Sequence, residues 1–182
     1  YLSILEAVAN GYTTPNEIAG QTGIDPGPLS TYLQKLRRLR LVDRDVPVTA
    51  VKKKSKRSLY RIDDDFLRFW FRFVEPNRAG IENAPDAVIE DQILPVFSQF
   101  VAETFEGVCR EAVWHLSVSR EFGTRYAAVG SWWYKEDEID VVALNDRTPA
   151  ILFGECKWTN TPVGWGLVED LKAKAAAVQW HT

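Results

Sequence analysis

The positive charge of the N-terminal third of this chain is confined to one stretch. All eleven lysines and arginines of residues 1–62 lie between Lys35 and Arg61, against five acidic residues, a net of +6. Residues 63–182 carry eleven basic and twenty acidic residues, a net of −9. A chain of 182 residues with this partition is expected to fold as two modules with different partners. The overall charge of −3 hides the split. Apolar content of 46% and charged content of 26% exclude a disordered chain. No run approaches the roughly 18–20 uncharged apolar residues of a membrane span. The start has no secretory signal, and Cys109 and Cys156 cannot make a disulfide framework. A reducing, cytoplasmic location is therefore expected. Methionine is absent even at position 1, so the chain is expected to be a piece of a longer product.

Residues 1–62 read as a winged helix-turn-helix. Leu2, Leu5, Ala7 and Val8 give a short helical pattern ending at Gly11. Thr14-Pro15-Asn16-Glu17 is a helix start: Thr14 caps, Pro15 fits the first turn, and Glu17 bonds back to Thr14. Gly23 stops that helix, and Asp25-Pro26 starts a third, running to about Arg40 with Leu29, Leu33 and Leu36 as its apolar stripe. Its opposite face carries Ser30, Thr31, Gln34, Arg37 and Arg38, small polar and basic side chains suited to a major groove. Two strands, Leu41–Val46 and Leu59–Ile62, flank Lys52, Lys53, Lys54, Lys56 and Arg57. A basic wing of this kind lies along phosphates and gives sequence-independent affinity. DNA is thus the expected partner; a docking role for the winged helix is the alternative.

Residues 63–96 read as a helical connector. Asp63-Asp64-Asp65 caps a helix Phe66–Val74 that is apolar nearly all round and so belongs in a core or between modules. Residues 77–86 read as a loop. A helical region from about Ala87 to Leu116 follows, interrupted at Pro95, with Phe97, Val101, Phe105, Val108 and Ala112 as its buried stripe.

The candidate chemistry lies in residues 97–182. Tyr126–Tyr134, Glu138–Leu144 and Ile151–Trp158 read as strands, with a turn over Asp146-Arg147-Thr148-Pro149. Antiparallel pairing about that turn sets Leu144 against Ile151, Val142 against Phe153, Asp140 against Glu155 and Glu138 against Lys157, all on one face. Two facing carboxylates repel each other, so a positive group belongs between them. Lys157 is one candidate; Mg²⁺ or Mn²⁺, held by Asp140 and Glu155, is the other. An Asp followed one strand later by Glu-x-Lys is the arrangement that metal-assisted phosphodiester hydrolysis needs. Glu106, on the preceding helix, joins the candidate set. A Glu138–Lys157 salt bridge on a solvated sheet edge is the bland alternative.

Asp140 with Glu155-Cys156-Lys157 resembles the PD-(D/E)XK nuclease superfamily. More closely, Tyr60-Arg61-Ile62-Asp63, Phe66–Phe73, Gly130-Ser131-Trp132-Trp133, Glu138–Val142 and Glu155-Cys156-Lys157-Trp158 resemble the C-terminal region of archaeal-type P-loop ATPases of the "domain of unknown function 234" group. The resemblance implies an α/β (α+β) chain: a winged helix, then a restriction-endonuclease-like domain with a mixed sheet. It makes Glu106, Asp140, Glu155 and Lys157 the nuclease-like site. It implies an N-terminal ATPase domain as partner. The chain itself has no phosphate-binding Gly-x-x-x-x-Gly-Lys-Ser/Thr motif, so ATP enters only through that other domain. The last strand of the nuclease fold is expected to be missing after a helix Leu167–Trp180.

Other constellations are weaker. His115, His181 and the two cysteines lack zinc spacing. Cys156 is expected on the opposite face of its strand from Glu155 and Lys157, packed rather than reactive. Strand alternation sends one of Trp132 and Trp133 into the core. A Mg²⁺- or Mn²⁺-dependent DNA endonuclease and a non-catalytic DNA- or protein-binding module that places or regulates an ATPase are both compatible with these residues.

Overall fold

The computed structural model describes residues 1–50, 55, 57–145, 147 and 149–180. They form two compact units, residues 1–46 with 56–97, and residues 47–55 with 98–182. The fold is α+β in class, as expected.

The first unit starts with helices α1 (Leu2–Ala9), α2 (Pro15–Thr22) and α3 (Pro26–Arg38). The α2 start is a full capping box: Thr14 Oγ1 accepts from Glu17 N, and Glu17 Oε2 accepts from Thr14 N at 2.8 Å. That bond, with a weaker one from Thr13, holds the Glu17 carboxyl below the usual carboxylate range. Gly23 ends the helix at φ 68°, a left-handed position that costs glycine nothing. Ile4, Leu5 and Val8 of α1, Ile18 of α2, and Leu29, Leu33 and Leu36 of α3 bury into one core with Val42 and Ile62. Strands β1 (Asp43–Asp45) and β2 (Leu59–Arg61) pair antiparallel, Arg44 opposite Tyr60. Tyr60 N also donates to Thr13 O, tying β2 to the α1–α2 turn.

The connector differs from expectation. Asp64 caps α4 (Asp65–Phe69), which continues through a widened turn at Trp70–Val74. Leu67 and Phe71 pack on the N-terminal core and Phe73 is buried, but Phe66 is 69% exposed, so the helix is buried on one side only. The expected loop at 77–86 is instead helical, in α5 (Arg78–Asn83) and α6 (Pro85–Val88). Pro85 starts α6, a role open to proline because the first helical N–H has no partner inside the helix. Residues 63–96 belong to the first unit and are not a separate linker.

The chain stays helical from α6 through a widened turn at Ile89–Ile93 into α7 (Leu94–Val118), so the helix is distorted just before Pro95 and is not broken there. Its expected apolar stripe is not what it buries: Val108 is 54% exposed and Phe97 39%, while Phe100 and Ser117 are covered. The helix turns polar side chains toward the sheet, and the stripe assumed that only apolar ones face inward. The sheet has strands β3 (Ala128–Tyr134), β4 (Asp137–Asn145) and β5 (Ala150–Gly154) in that order. All three described strands are antiparallel, where a mixed sheet was expected. Strands joined by short turns must be antiparallel, because a parallel partner needs a longer crossover. Trp132, Ile139, Val142 and Leu144 form the core of this unit, so Trp132 is the inward member of its tryptophan pair. Helix α8 (Gly166–Ala176) covers that core with Leu171.

Residues 47–55, between the two strands of the winged helix, belong to the second unit. Val48 N donates to Ser131 O at 2.9 Å, and Val48 packs against the Trp132 core. Ser131 lies where β3 breaks register with β4, and its carbonyl accepts from Val48 instead. The base of the expected wing therefore covers part of the free edge of β3, which would otherwise offer unpaired backbone groups.

Candidate functional site

Hairpin register is the foundation of the site. Leu144 pairs with Ile151 and Val142 with Phe153, as the alternation required. Regular pairing stops at Val141–Gly154. At Gly154 an added Cβ would come within 3.2 Å of Val141 Cβ, a tight contact that Val141 would have to yield to. Beyond Gly154 the chain leaves the sheet, which corrects the expected strand to Trp158. The expected opposition of Glu138 and Lys157 is absent for the same reason. Glu138 pairs with Trp133 of β3.

Asp140 and the Glu155-Cys156-Lys157 segment nevertheless stay together. Cys156 N donates to Asp140 Oδ2 at 2.7 Å, in place of the next ladder bond. Trp158 packs its ring on Phe105 of α7, with centroids 5.4 Å apart, and anchors the far end of the segment.

The side chain of Glu155 is only 8% exposed, and cations meet it from two directions. Lys157 Nζ lies 2.8 Å from Glu155 Oε1, and Lys174 Nζ of α8 lies 3.4 Å from both carboxylate oxygens. A carboxylate this buried is tolerated because it is paired. The expected Asp140–Glu155 pair is not formed, because regular pairing ends at Val141–Gly154, and the positive groups that meet Glu155 are lysines.

Glu106 reaches the same place from α7. Arg110, one turn on, lies 3.7 Å from Glu106 and donates to Asp140 O at 3.0 Å, so one guanidinium ties the helix to the start of β4. The Glu155 hydrogen bond, then the negative charges of Glu155, Asp140 and Glu106, push the Lys157 ammonium above its ordinary pKa against the opposing effect of burial. Lys157 is therefore a cation and a proton donor at neutral pH, and not a general base. The four expected residues converge on one spot, and Lys174 and Arg110 join them. Neither was visible in the sequence: Lys174 lies 19 residues from Glu155 on another element, and no local spacing links them.

The cysteines meet here too. The Cys156 thiol hydrogen-bonds with Cys109 of α7, and burial, then that bond and the charges of Cys109, Asp140 and Glu106, push it up to about 12. It is a packed thiol and not a nucleophile at neutral pH. His115 is exposed and pairs with Glu111, and His181 lies outside the described residues.

Asp140 and Glu155 offer only oxygen donors, which suit a hard divalent cation that keeps water and takes phosphate as further ligands. Among the described residues no three His, Cys, Asp or Glu side chains gather to hold an ion by themselves.

On the winged helix, Ser30, Thr31, Gln34, Arg37 and Arg38 are all exposed on α3, as the amphipathic pattern required. Gln34, Arg37 and Arg38 line a shallow hollow of about 350 Å³. Arg57 is exposed, while Lys52, Lys53, Lys54 and Lys56 lie outside the described residues.

A family described as archaeal and bacterial proteins of unknown function, the domain of unknown function 234, matches residues 70–175. The chain belongs to that family. Residues 2–44 match the helix-turn-helix of the bacterial regulatory proteins of the arsR family, which points to DNA binding through α2 and α3. An uncharacterized protein of Methanocaldococcus jannaschii is 34% identical over 158 residues, which is 87% of this chain and 35% of that protein. The chain thus spans about a third of the length of this relative. No solved structure matches it. Among the described residues no helix is long and apolar enough to cross a membrane.

Proposed function

We propose that this chain is a DNA-handling module in which the winged helix binds duplex DNA and the second unit hydrolyses a phosphodiester with a divalent metal. The observation that carries the reading is the convergence of Glu106, Asp140, Glu155 and Lys157 around the end of the β4–β5 hairpin.

Asp140 and Glu155 would hold Mg²⁺ or Mn²⁺, which when bound offsets charge on the phosphate and acidifies a water. Lys157, released from Glu155, would donate to the attacked phosphate or orient the water. The Cys156 amide fixes one Asp140 oxygen and so aims the other. Arg110 holds Glu106 and the Asp140 backbone, so the helix and the strand keep their spacing. The α3 face with Gln34 and Arg38 would read the groove, and the wing lysines would take the phosphates. The length of the Methanocaldococcus jannaschii relative supports a larger protein, in which we place an ATPase domain before this chain.

A non-catalytic binding module that places or regulates that ATPase is the second reading. Lys157 and Lys174 favour it, because together they neutralise Glu155 without any metal. A Mn²⁺ titration followed by electron paramagnetic resonance separates the two. The nuclease reading requires an ion bound by the wild type and lost in Asp140→Asn; the binding-module reading requires none in either.

A further inference from the structure

At the other end of β4 from Asp140, about five residues and so roughly 17 Å along the strand, the second unit contains a cleft of about 640 Å³. Arg120, Arg125 and Arg147 line it, with Trp114, Thr124 and Asn145. Among the described residues no acidic side chain lines it, in a part of the chain whose net charge is −9. Among the described residues none of the three guanidiniums has an ion-pair partner. Three unpaired cations around one concavity repel each other unless an anion joins them.

The wall of the cleft is held in shape before any ligand arrives. Tyr126 N donates to Ser117 Oγ at 2.7 Å, and Ala127 N to Leu144 O at 2.7 Å, so the segment after α7 is pinned to the helix and to the sheet. Asn145, 7% exposed, donates through Nδ2 to Thr124 Oγ1 and accepts from Arg147 N through Oδ1. Its polar groups are thus turned to the wall, and the Thr124 hydroxyl is left with its proton to donate. Arg120 closes α7 at φ 63°, a left-handed position where glycine is the usual residue and a side chain carries strain. Glu121 N bonds to Leu116 O and Arg120 N to Ser117 O, which fixes that strained turn. Trp114 is 40% exposed at the same cleft, a flat aromatic beside the cations.

We propose that this cleft binds a nucleotide unit, with its phosphates on Arg120, Arg125 and Arg147 and its base against Trp114. Guanidiniums bind phosphate by paired, charge-assisted hydrogen bonds, and an exposed tryptophan face accepts any base. The volume lies within the range of small-ligand pockets. A free nucleotide and the phosphorylated end of a single strand share this chemistry. The assignment does not depend on the nuclease-like site.

Isothermal titration calorimetry on the protein with pyrophosphate, with dAMP, and with a short single strand carrying or lacking a terminal phosphate tests it. Arg120→Gln and Arg147→Gln together should weaken both pyrophosphate and dAMP by about tenfold or more. Trp114→Leu should weaken dAMP while leaving pyrophosphate unchanged, which general damage to the cleft would not do. Competition by the phosphorylated strand alone identifies a strand end as the source; competition by dAMP without it identifies a free nucleotide. No binding of any probe up to about 5 mM overturns the proposal. So does binding that the arginine variants leave unchanged. Calorimetry reads binding and not cleavage, so a protein that cuts no DNA still decides the question.

Discussion

The amide of Cys156 donates to the carboxylate of Asp140 at 2.7 Å, with Asp140 one residue and Cys156 two residues beyond the last regular pair of the hairpin. This bond converts a sheet register into a site. It keeps Glu155 and Lys157 beside Asp140 although the strand has ended, and it satisfies an amide that would otherwise face a carboxylate side chain unpaired.

The two lysines on Glu155 should be non-additive. Lys157→Ala or Lys174→Ala alone leaves the buried carboxylate one cation, and each should cost about 1 kcal/mol or less. The double variant leaves the carboxylate without either, and should lose more than the sum of the singles. Urea unfolding of the four proteins checks this; strict additivity would mean that the lysines do not share the charge.

The α2 capping box carries a pH dependence. The Glu17 pKa is lowered on folding, so its contribution is fully present above the unfolded value, about 4.3, and is lost as pH falls through the folded value. Thr14→Ala should destabilise the first unit by about 1 kcal/mol at neutral pH. Glu17→Gln, which removes the titrating carboxyl, should flatten the acid limb of the stability curve. Thermal unfolding between neutral and acid pH measures both effects.

The arm between β1 and β2 tests the second unit. A Cβ on Gly130 would stand 3.1 Å from Val48 Cβ. Gly130→Val should therefore destabilise by about 1–3 kcal/mol through overpacking. Val48→Ala in the same chain should recover part of that loss, and chemical denaturation of the double-mutant cycle reads the coupling.

In the proposed function DNA binding divides between groove and phosphate. Gln34→Ala with Arg38→Ala should change the preference between sequences by about tenfold. Alanine at Lys52, Lys53, Lys54 and Lys56 should instead weaken all sequences alike and reduce the log–log salt slope by about 1 per lost contact. Fluorescence anisotropy at several salt concentrations separates the two.

Where one face of an element is buried, the sequence was a good guide. The hairpin register followed from alternation, because a one-residue slip would expose Val142 and Leu144. The α2 cap followed from Thr14 and Glu17. Where polar groups face inward, or long-range contacts decide, it was not. The α7 stripe failed because Glu106 and Arg110 take part in the contact with the sheet. The loop at 77–86 failed because Pro85 begins a helix there. β5 ends early, at Gly154, and no local pattern reveals that end. The seating of Val48 on Ser131 is a contact more than eighty residues long in sequence, hidden within what reads as a basic wing.

The central claim, a metal-dependent phosphodiesterase site at Asp140, Glu155 and Lys157, is tested most directly by DNA cleavage in Mg²⁺ or Mn²⁺, measured together with ion binding. Wild-type protein should bind the ion and cut. Asp140→Asn should fold, keep its DNA affinity, and lose both ion and cleavage. Lys157→Ala should keep the ion and lose cleavage, because the lysine acts on water or phosphate and is not a ligand. A wild-type protein that holds no ion at about millimolar concentration and cuts no DNA, with its flanking chain present, would contradict the account.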